Sequence, residues 1–464
     1  MKPLTYKVHF NKTFNLAYPV MLSQLGHIMV GMADSIMVGQ LGQTPLAAAS
    51  FANGFLGVFL MFGIGLSYGI TPLVAQADGQ HDDHKITRLL RHGIILCGAA
   101  GVILFLVLFS STYLFPYLRQ PEEVLILGTP YLLIIASSLI PLMIFQNFRQ
   151  FAEGLSVTKP TMYITIAANL LNILLNYLLI YGKLGLPELG LNGAGWATFI
   201  SRVLMAIGLY VFVIKYDRFK AYRSAFQFAK IKADFFKPML KIGVPSGIQF
   251  VFEVGAFTVA AIMMGWLGTG PLAAHQIALS LVSLSYMMAS GISAASTVRI
   301  GNQIGAKDGF NLQRVGNTSF LMSLTFMACC AILFISLSSF FPTLYVDEPE
   351  VISIATTLII VAGFFQLSDG VQVVGLGALR GMSDVKVPTI ITLIAYWGLA
   401  IPMSYLLGFT MDLGPEGIWY GLLIGLTAAA LALFIRFKRL ARKKAADFIK
   451  KEQENATLDL EVSL

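Results

Sequence analysis

The stretch GQLGQTPLAAAS (39–50) aligns without a gap to GWLGTGPLAAHQ (265–276), 226 residues further on. Working outward at the same shift, LAYPVMLSQ (16–24) meets IGVPSGIQF (242–250), placing Pro19 over Pro245. On the other side, AQADGQHDDHKITR (75–88) meets GNQIGAKDGFNLQR (301–314), with Gly79 over Gly305 and Arg88 over Arg314. Later pairs keep their order with small changes of offset: EGLSVTKPT (153–161) with RGMSDVKVPT (380–389), and LGLNGAGWA (189–197) with LGPEGIWYG (413–421). Even RQPEE (119–123) sits opposite VDEPE (346–350). The chain is one design written twice.

Long apolar blocks fill the space between these landmarks. Of 464 residues, 56% are hydrophobic and 12% charged, with mean hydropathy +0.74; a soluble domain carries about twice that charged fraction. Blocks of about 20 apolar residues are bilayer-spanning helices. They predict spans at 14–38, 47–74, 89–115, 124–148, 160–182, 191–214, 240–265, 273–298, 315–341, 351–378, 387–409 and 415–437. Short alternating strands of a barrel are excluded. The expected fold is an all-α integral membrane protein, with about twelve transmembrane helices in two homologous six-helix bundles. The boundaries are a cytoplasmic N-terminus 1–13, bundles 14–214 and 240–437, a linker 215–239 and a tail 438–464.

The net charge of +8 is a topology signal and not a nucleic-acid footprint. Lys and Arg number 29 in the two termini and the even-numbered loops, against Arg119 and Lys183 in the odd-numbered loops; Arg202 lies inside a span. By the positive-inside rule both termini face the cytoplasm. Six helices per half give both halves the same orientation. The linker reads as a solvated basic segment near anionic lipid, and the tail 445–464 as disordered or a frayed helix end. Cys97, Cys329 and Cys330 fall within spans without metal spacing, as small apolar fillers. The basic start lacks a cleavage site, so the first span is retained. Pro19, Pro141, Pro245, Pro388 and Pro402 are candidate bends.

Acids inside spans are expensive and mark function by default. Three stand out: Asp34, Glu253 and Asp369, with no Lys or Arg within two turns on the same helix. Each must be protonated, pair with a distant base or bind a cation. AANLLNILLNYLLIYG adds Asn172 and Asn176 at i, i+4 on one helix face, near Asn169, and Thr198 follows in the next span. Carboxylate, amide and hydroxyl oxygens make a hard-ligand set suited to Na⁺ or a stored proton; interhelical hydrogen bonding is the competing reading of the asparagines.

Together GMADSIMVGQLG (31–42), GWLGTGPLAAHQIA (265–278), EGLSVTKPTMY (153–163) and LRGMSDVKVP (379–388) resemble the multidrug and toxic compound extrusion family, NorM branch, over residues 10–440. The resemblance implies a cation site at Glu253 and Asp369, with Na⁺ possible there. It also implies a second cation site of Asp34, Asn172, Asn176 and Thr198, Asn176 standing where some relatives have an acid. For substrate it implies Phe257, Gln276, Ser280 and Tyr286, where aromatics and acids suit lipophilic organic cations. His27, the repeat-mate of Glu253, is a hydrogen-bonding or substrate-contact candidate.

The expected protein is not an enzyme and has no cofactor: no Walker A motif, His-Glu-x-x-His or nucleophile with a local base is present. It would be a monomeric multi-pass protein of a bacterial inner membrane, exchanging Na⁺ or H⁺ for drugs and dyes by alternating access. Within the same superfamily, a lipid-linked glycan flippase is the alternative; acids rather than bases inside the spans count against it.

Overall fold

The computed structural model describes residues 5–118, 120–227 and 231–463, with side chains through Lys450. Arg119, and Lys230 of the linker, lie outside them, as do residues 1–4. Twelve helices are long and apolar enough to cross a membrane. They are α1 Tyr6–Gly39, α2 Gln43–Gly79, α3 Asp83–Leu118, α4 Glu122–Gly154, α5 Lys159–Ile180 and α6 Leu191–Lys215. The second half supplies α7 Ala233–Leu267, α8 Thr269–Gly305, α9 Gly309–Ser336, α10 Pro349–Gly381, α11 Lys386–Thr410 and α12 Gly414–Lys450. Each expected span overlaps one of these helices, with 160–182 and 315–341 running past the ends of α5 and α9. The last helix runs on to Ser463, so the tail is helical rather than a disordered segment.

The duplication is written into the backbone. The α1–α2 and α7–α8 turns each hinge on a glycine in the left-handed region, Gly42 (φ 117°) and Gly268 (φ 130°), where a side chain would strain the chain. Before α3 and α9, His81 (φ 57°) and Lys307 (φ 55°) occupy matching left-handed positions. The N-caps that follow match too: Asp82 accepts from the Lys85 N–H and Asp308 from the Asn311 N–H, each at 2.9 Å.

Two compact units result, and they are not the sequence halves. The first holds residues 1–21, 75–81 and 252–464; the second holds 22–74 and 82–251. Thus α1 and α7 each divide between the units. Inside the second unit, α2 crosses the first part of α7 so closely that a Cβ on Gly65 would lie 2.5 Å from the Gly247 Cα. The repeat-related crossing lies inside the first unit, where a Cβ on Gly291 would meet Met21 Cγ at 2.4 Å. The end of α2 meets the end of α8 in that same unit, around a local twofold: Gly79 abuts the Asn302 carbonyl and Gly305 abuts that of Gln76. Small residues at such crossings let backbones approach and gain dispersion contacts where lipid removes the hydrophobic drive.

Prolines shape two helices, α4 and α11. Pro141 lacks the N–H that would bond Ser137, and α4 breaks at Ser138. In α11, Pro402 lies between π-helical turns at Ile394–Ala400 and Leu406–Thr410. Pro19 and Pro245 sit inside unbroken helical segments.

The linker differs from the solvated segment expected. Asp217–Phe226 forms 3-10 turns that bury Phe219, Tyr222 and Ala225. Tyr222 Oη donates to Asp83 at 2.9 Å, Arg91 donates to the Ala225 and Ser224 carbonyls, and the Lys232 N–H reaches His92 Nε2 at 3.0 Å. A segment with three apolar anchors and this many bonds is docked on α3. Arg149, Arg299 and Arg380, counted above with the loops, are helical and buried.

Candidate ion and substrate sites

The first unit buries two acids, Glu253 on α7 and Asp369 on α10. Gln372, less than one turn beyond Asp369, donates from Nε2 to Glu253 Oε1 at 3.3 Å. Tyr396 Oη lies 3.0 Å from Gln372 Oε1 and 3.5 Å from Glu253 Oε1. The π turn carries that phenol: an extra residue per turn re-aims the side chain without ending the helix. All partners therefore engage one carboxylate oxygen. Glu253 Oε2, Asp369 Oδ2 and both amide atoms of Gln366 are buried with no hydrogen-bond partner. Orphaned buried oxygens cost free energy unless something meets them. The two acids also interact electrostatically with each other, and Glu253 with Arg380.

Phe257, one turn after Glu253, places its ring centroid 6.1 Å from Tyr396 and 6.2 Å from Phe365. Tyr286 packs beside Ala289, Met327 and Val373. Ser280 spends its hydroxyl on the Gln276 carbonyl at 2.8 Å, and the Gln276 side chain is exposed. Among the described residues no group of three or more His, Cys, Asp or Glu could hold a metal ion. A transition-metal centre built that way is absent there; oxygen ligation of a hard cation by acids and amides is a different chemistry.

The second unit holds the Asp34 cluster. Asn176 Nδ2 donates to Asp34 Oδ1. Asn172 lies 3.2 Å from Asn176. With its amide turned so that its oxygen accepts the Thr198 N–H at 3.3 Å, it also donates to Asp34 Oδ1 at 3.0 Å. Asp34, Asn172, Asn176 and Thr198 thus come together as the sequence groups them. Thr198, however, contributes a backbone N–H rather than a hydroxyl oxygen. Asn169 stands apart from this bond network, with its Nδ2 2.7 Å from where a Gly26 Cβ would lie. His27 belongs to this unit and is exposed on α1, in electrostatic reach of Arg149 and Arg202.

Sequence reasoning left Gln366, Gln372 and Tyr396 unassigned, and noted Arg202 only as a base within a span. FFQLSDGVQ (364–372) did carry a signal, three polar side chains spaced by three on one apolar helix. Tyr396 carried none, since a π turn is invisible in the residues around it.

Two structural repeats of six membrane helices, each with buried polar clusters, have the architecture of a duplicated transporter. The MatE family model matches residues 19–178 and 245–406, one match per repeat. The chain is 34% identical over 441 residues to a probable multidrug resistance protein NorM of Agrobacterium fabrum (strain C58 / ATCC 33970), covering 94% of this chain and 95% of the other. A probable NorM protein of Rhizobium meliloti (strain 1021) is 33% identical, at 95% and 96% coverage. In fold, the chain is similar to a eukaryotic MATE transporter (TM-score 0.84, 20% identity, 96% and 99% coverage). It is likewise similar to an outward-facing multidrug resistance MATE transporter (TM-score 0.85, 17% identity, 94% and 96% coverage). The chain belongs to the MATE family, in its NorM-like branch.

Proposed function

We propose that this protein exports small amphipathic molecules, chiefly lipophilic organic cations, across a bacterial inner membrane in exchange for an inward-moving Na⁺ or H⁺. One observation carries the reading: two buried acids on α7 and α10 each keep an oxygen without a partner. Glu253, Asp369 and the Gln366 amide oxygen would hold a dehydrated Na⁺ as hard oxygen ligands. A single shared proton also relieves the repulsion, since two nearby carboxylates titrate as one unit. Na⁺ is the favoured ion on the family resemblance.

Either ion drives export only through different affinities in the inward- and outward-open states. Occupied, the two acids lose net charge and their pull on a cationic substrate falls. Emptied, they attract it again. The same groups thereby couple ion entry to drug exit by alternating access, with both termini in the cytoplasm and no catalytic step. The test is efflux of ethidium from proteoliposomes at equal pH on both sides. An inward Na⁺ gradient drives it and K⁺ does not replace Na⁺. Efflux that follows only a pH gradient overturns the Na⁺ assignment and makes the acids proton carriers; efflux under neither gradient overturns coupled export.

A further inference from the structure

Away from both polar clusters, the first unit has a surface groove of about 530 Å³ where α11 and α12 meet. Its walls are apolar: Ile391 of α11, and Ala432, Ile435 and Leu440 of α12. Ile391 and Leu440 are held in place by packing on the hydrophobic core of the unit. The rest of the lining is basic, Arg436, Arg439 and Lys443, and no lining residue is acidic. Spacings of three and four set these cations on one face of α12. Arg436 stands 22 residues beyond Gly414, where α12 opens. That is about 33 Å at ~1.5 Å per residue, just past a hydrocarbon core about 30 Å thick. Ala432 lies inside that depth, and Arg439 and Lys443 lie beyond it, on the side that the positive-inside rule assigns to the cytoplasm.

Arg436 is only half engaged. Its Nε and Nη2 grip Asp384, on the turn between α10 and α11, at 2.6 and 2.9 Å. That pair fixes the guanidinium and leaves Nη1 outside the grip. Arg439 and Lys443 are exposed, and among the described residues neither is in any of the ion pairs within 4.0 Å. Like charges one turn apart destabilise a helix, and an anion set between them reverses the sign. Cations at headgroup depth beside an apolar trough that runs toward the bilayer core match one amphipathic shape, a phosphate above an acyl chain. Arg442 and Lys444, equally basic, do not line the groove.

We propose that this groove binds an anionic phospholipid of the cytoplasmic leaflet, its phosphate on Arg436, Arg439 and Lys443 and an acyl chain along Ile391, Ala432 and Ile435. Charge complementarity names the occupant. Asp384 balances Arg436, which leaves two positive charges facing a leaflet whose surface is negative. A guanidinium fork also fits phosphate oxygens with two parallel hydrogen bonds. A zwitterionic lipid brings its own cation and gains less, and a free phosphate leaves the apolar walls uncovered. Seated there, the lipid braces α11 against α12 beside the Asp384 clamp. The inference concerns a lipid-facing surface and does not depend on the export reading.

The test uses full-length protein, delipidated in a neutral detergent and titrated by native mass spectrometry with dioleoylphosphatidylglycerol or dioleoylphosphatidylcholine. Wild type prefers the anionic lipid. The double variant Arg439→Gln/Lys443→Gln lowers its affinity about tenfold or more. Arg442→Gln/Lys444→Gln, which removes as much charge beside the groove, leaves it within a few-fold. Equal losses in the two double variants mean diffuse surface charge and overturn the site, as does a wild type with no preference. Inorganic phosphate in excess, at matched ionic strength, leaves the lipid bound; displacement by it makes this a free-phosphate site and overturns the lipid assignment. If the groove double variant does not insert, Ala432→Phe decides, since it fills the trough and keeps every charge. It too weakens the anionic lipid, and an unchanged affinity overturns the proposal.

Discussion

Replacing Glu253 with glutamine changes one atom and one charge, which makes it the sharpest probe of the buried acid pair. The amide keeps an oxygen to accept from Gln372, now 3.3 Å from Oε1, and its nitrogen replaces the orphaned Oε2. Packing is kept and a buried charge is removed, so insertion and thermal stability hold. The ion loses more. A unit charge about 4 Å from a cation contributes about 4 kcal/mol at an effective dielectric near 20. Part is returned, because Asp369 no longer faces a like charge when the site is empty. A net loss of about 2–4 kcal/mol weakens ion binding roughly 30- to 1,000-fold. Titration of purified Glu253→Gln with Na⁺ by calorimetry reads that change directly, and ion-driven ethidium efflux falls to background beside it. Wild-type ion affinity with wild-type efflux under both Na⁺ and pH gradients would refute the reasoning and reduce the acid to a structural role.

Two further expectations concern topology and packing. In a cysteine-free background, Lys220→Cys and Phe310→Cys are labelled by an impermeant maleimide only from the cytoplasmic side, and Gln120→Cys and Asp347→Cys only from outside; external labelling at 220 breaks the two-half topology. Gly79→Val places a branched side chain against the Asn302 carbonyl, 2.2 Å from the ideal Cβ position, and overpacking there costs about 1–3 kcal/mol. A fall in the detergent melting temperature reads it, and an unchanged one shows that the crossing relaxes freely.

Much of this architecture is legible in the residues because lipid enforces it. Span length follows from bilayer thickness, and the repeat kept Gly42 over Gly268 and Asp82 over Asp308, positions that govern backbone and cap. Acids in apolar blocks announce themselves by cost, so Asp34, Glu253 and Asp369 stand out, and the asparagine partners of Asp34 with them. What escaped was tertiary. Tyr396 reaches Glu253 only through a π turn. Arg202 meets Ser138 at the break in α4. The linker's anchors, Phe219 and Tyr222, sit among basic residues that suggest solvent. Nor could periodicity show that α1 and α7 would be divided between the compact units.

That division sets a timetable for synthesis. Residues 5–21 share a unit with 252–463, so this early segment finds its lasting neighbours only once synthesis has passed residue 252. At about 5–20 residues per second, that wait is roughly ten seconds to a minute. Until then the start of α1, with buried Arg299 destined to clasp its His9 carbonyl and Thr13 hydroxyl at 2.6 Å each, has lipid or insertion machinery as its company. Severing the gene at the linker would therefore yield two products that each lack a piece of the other, and only their joint expression could restore both folds.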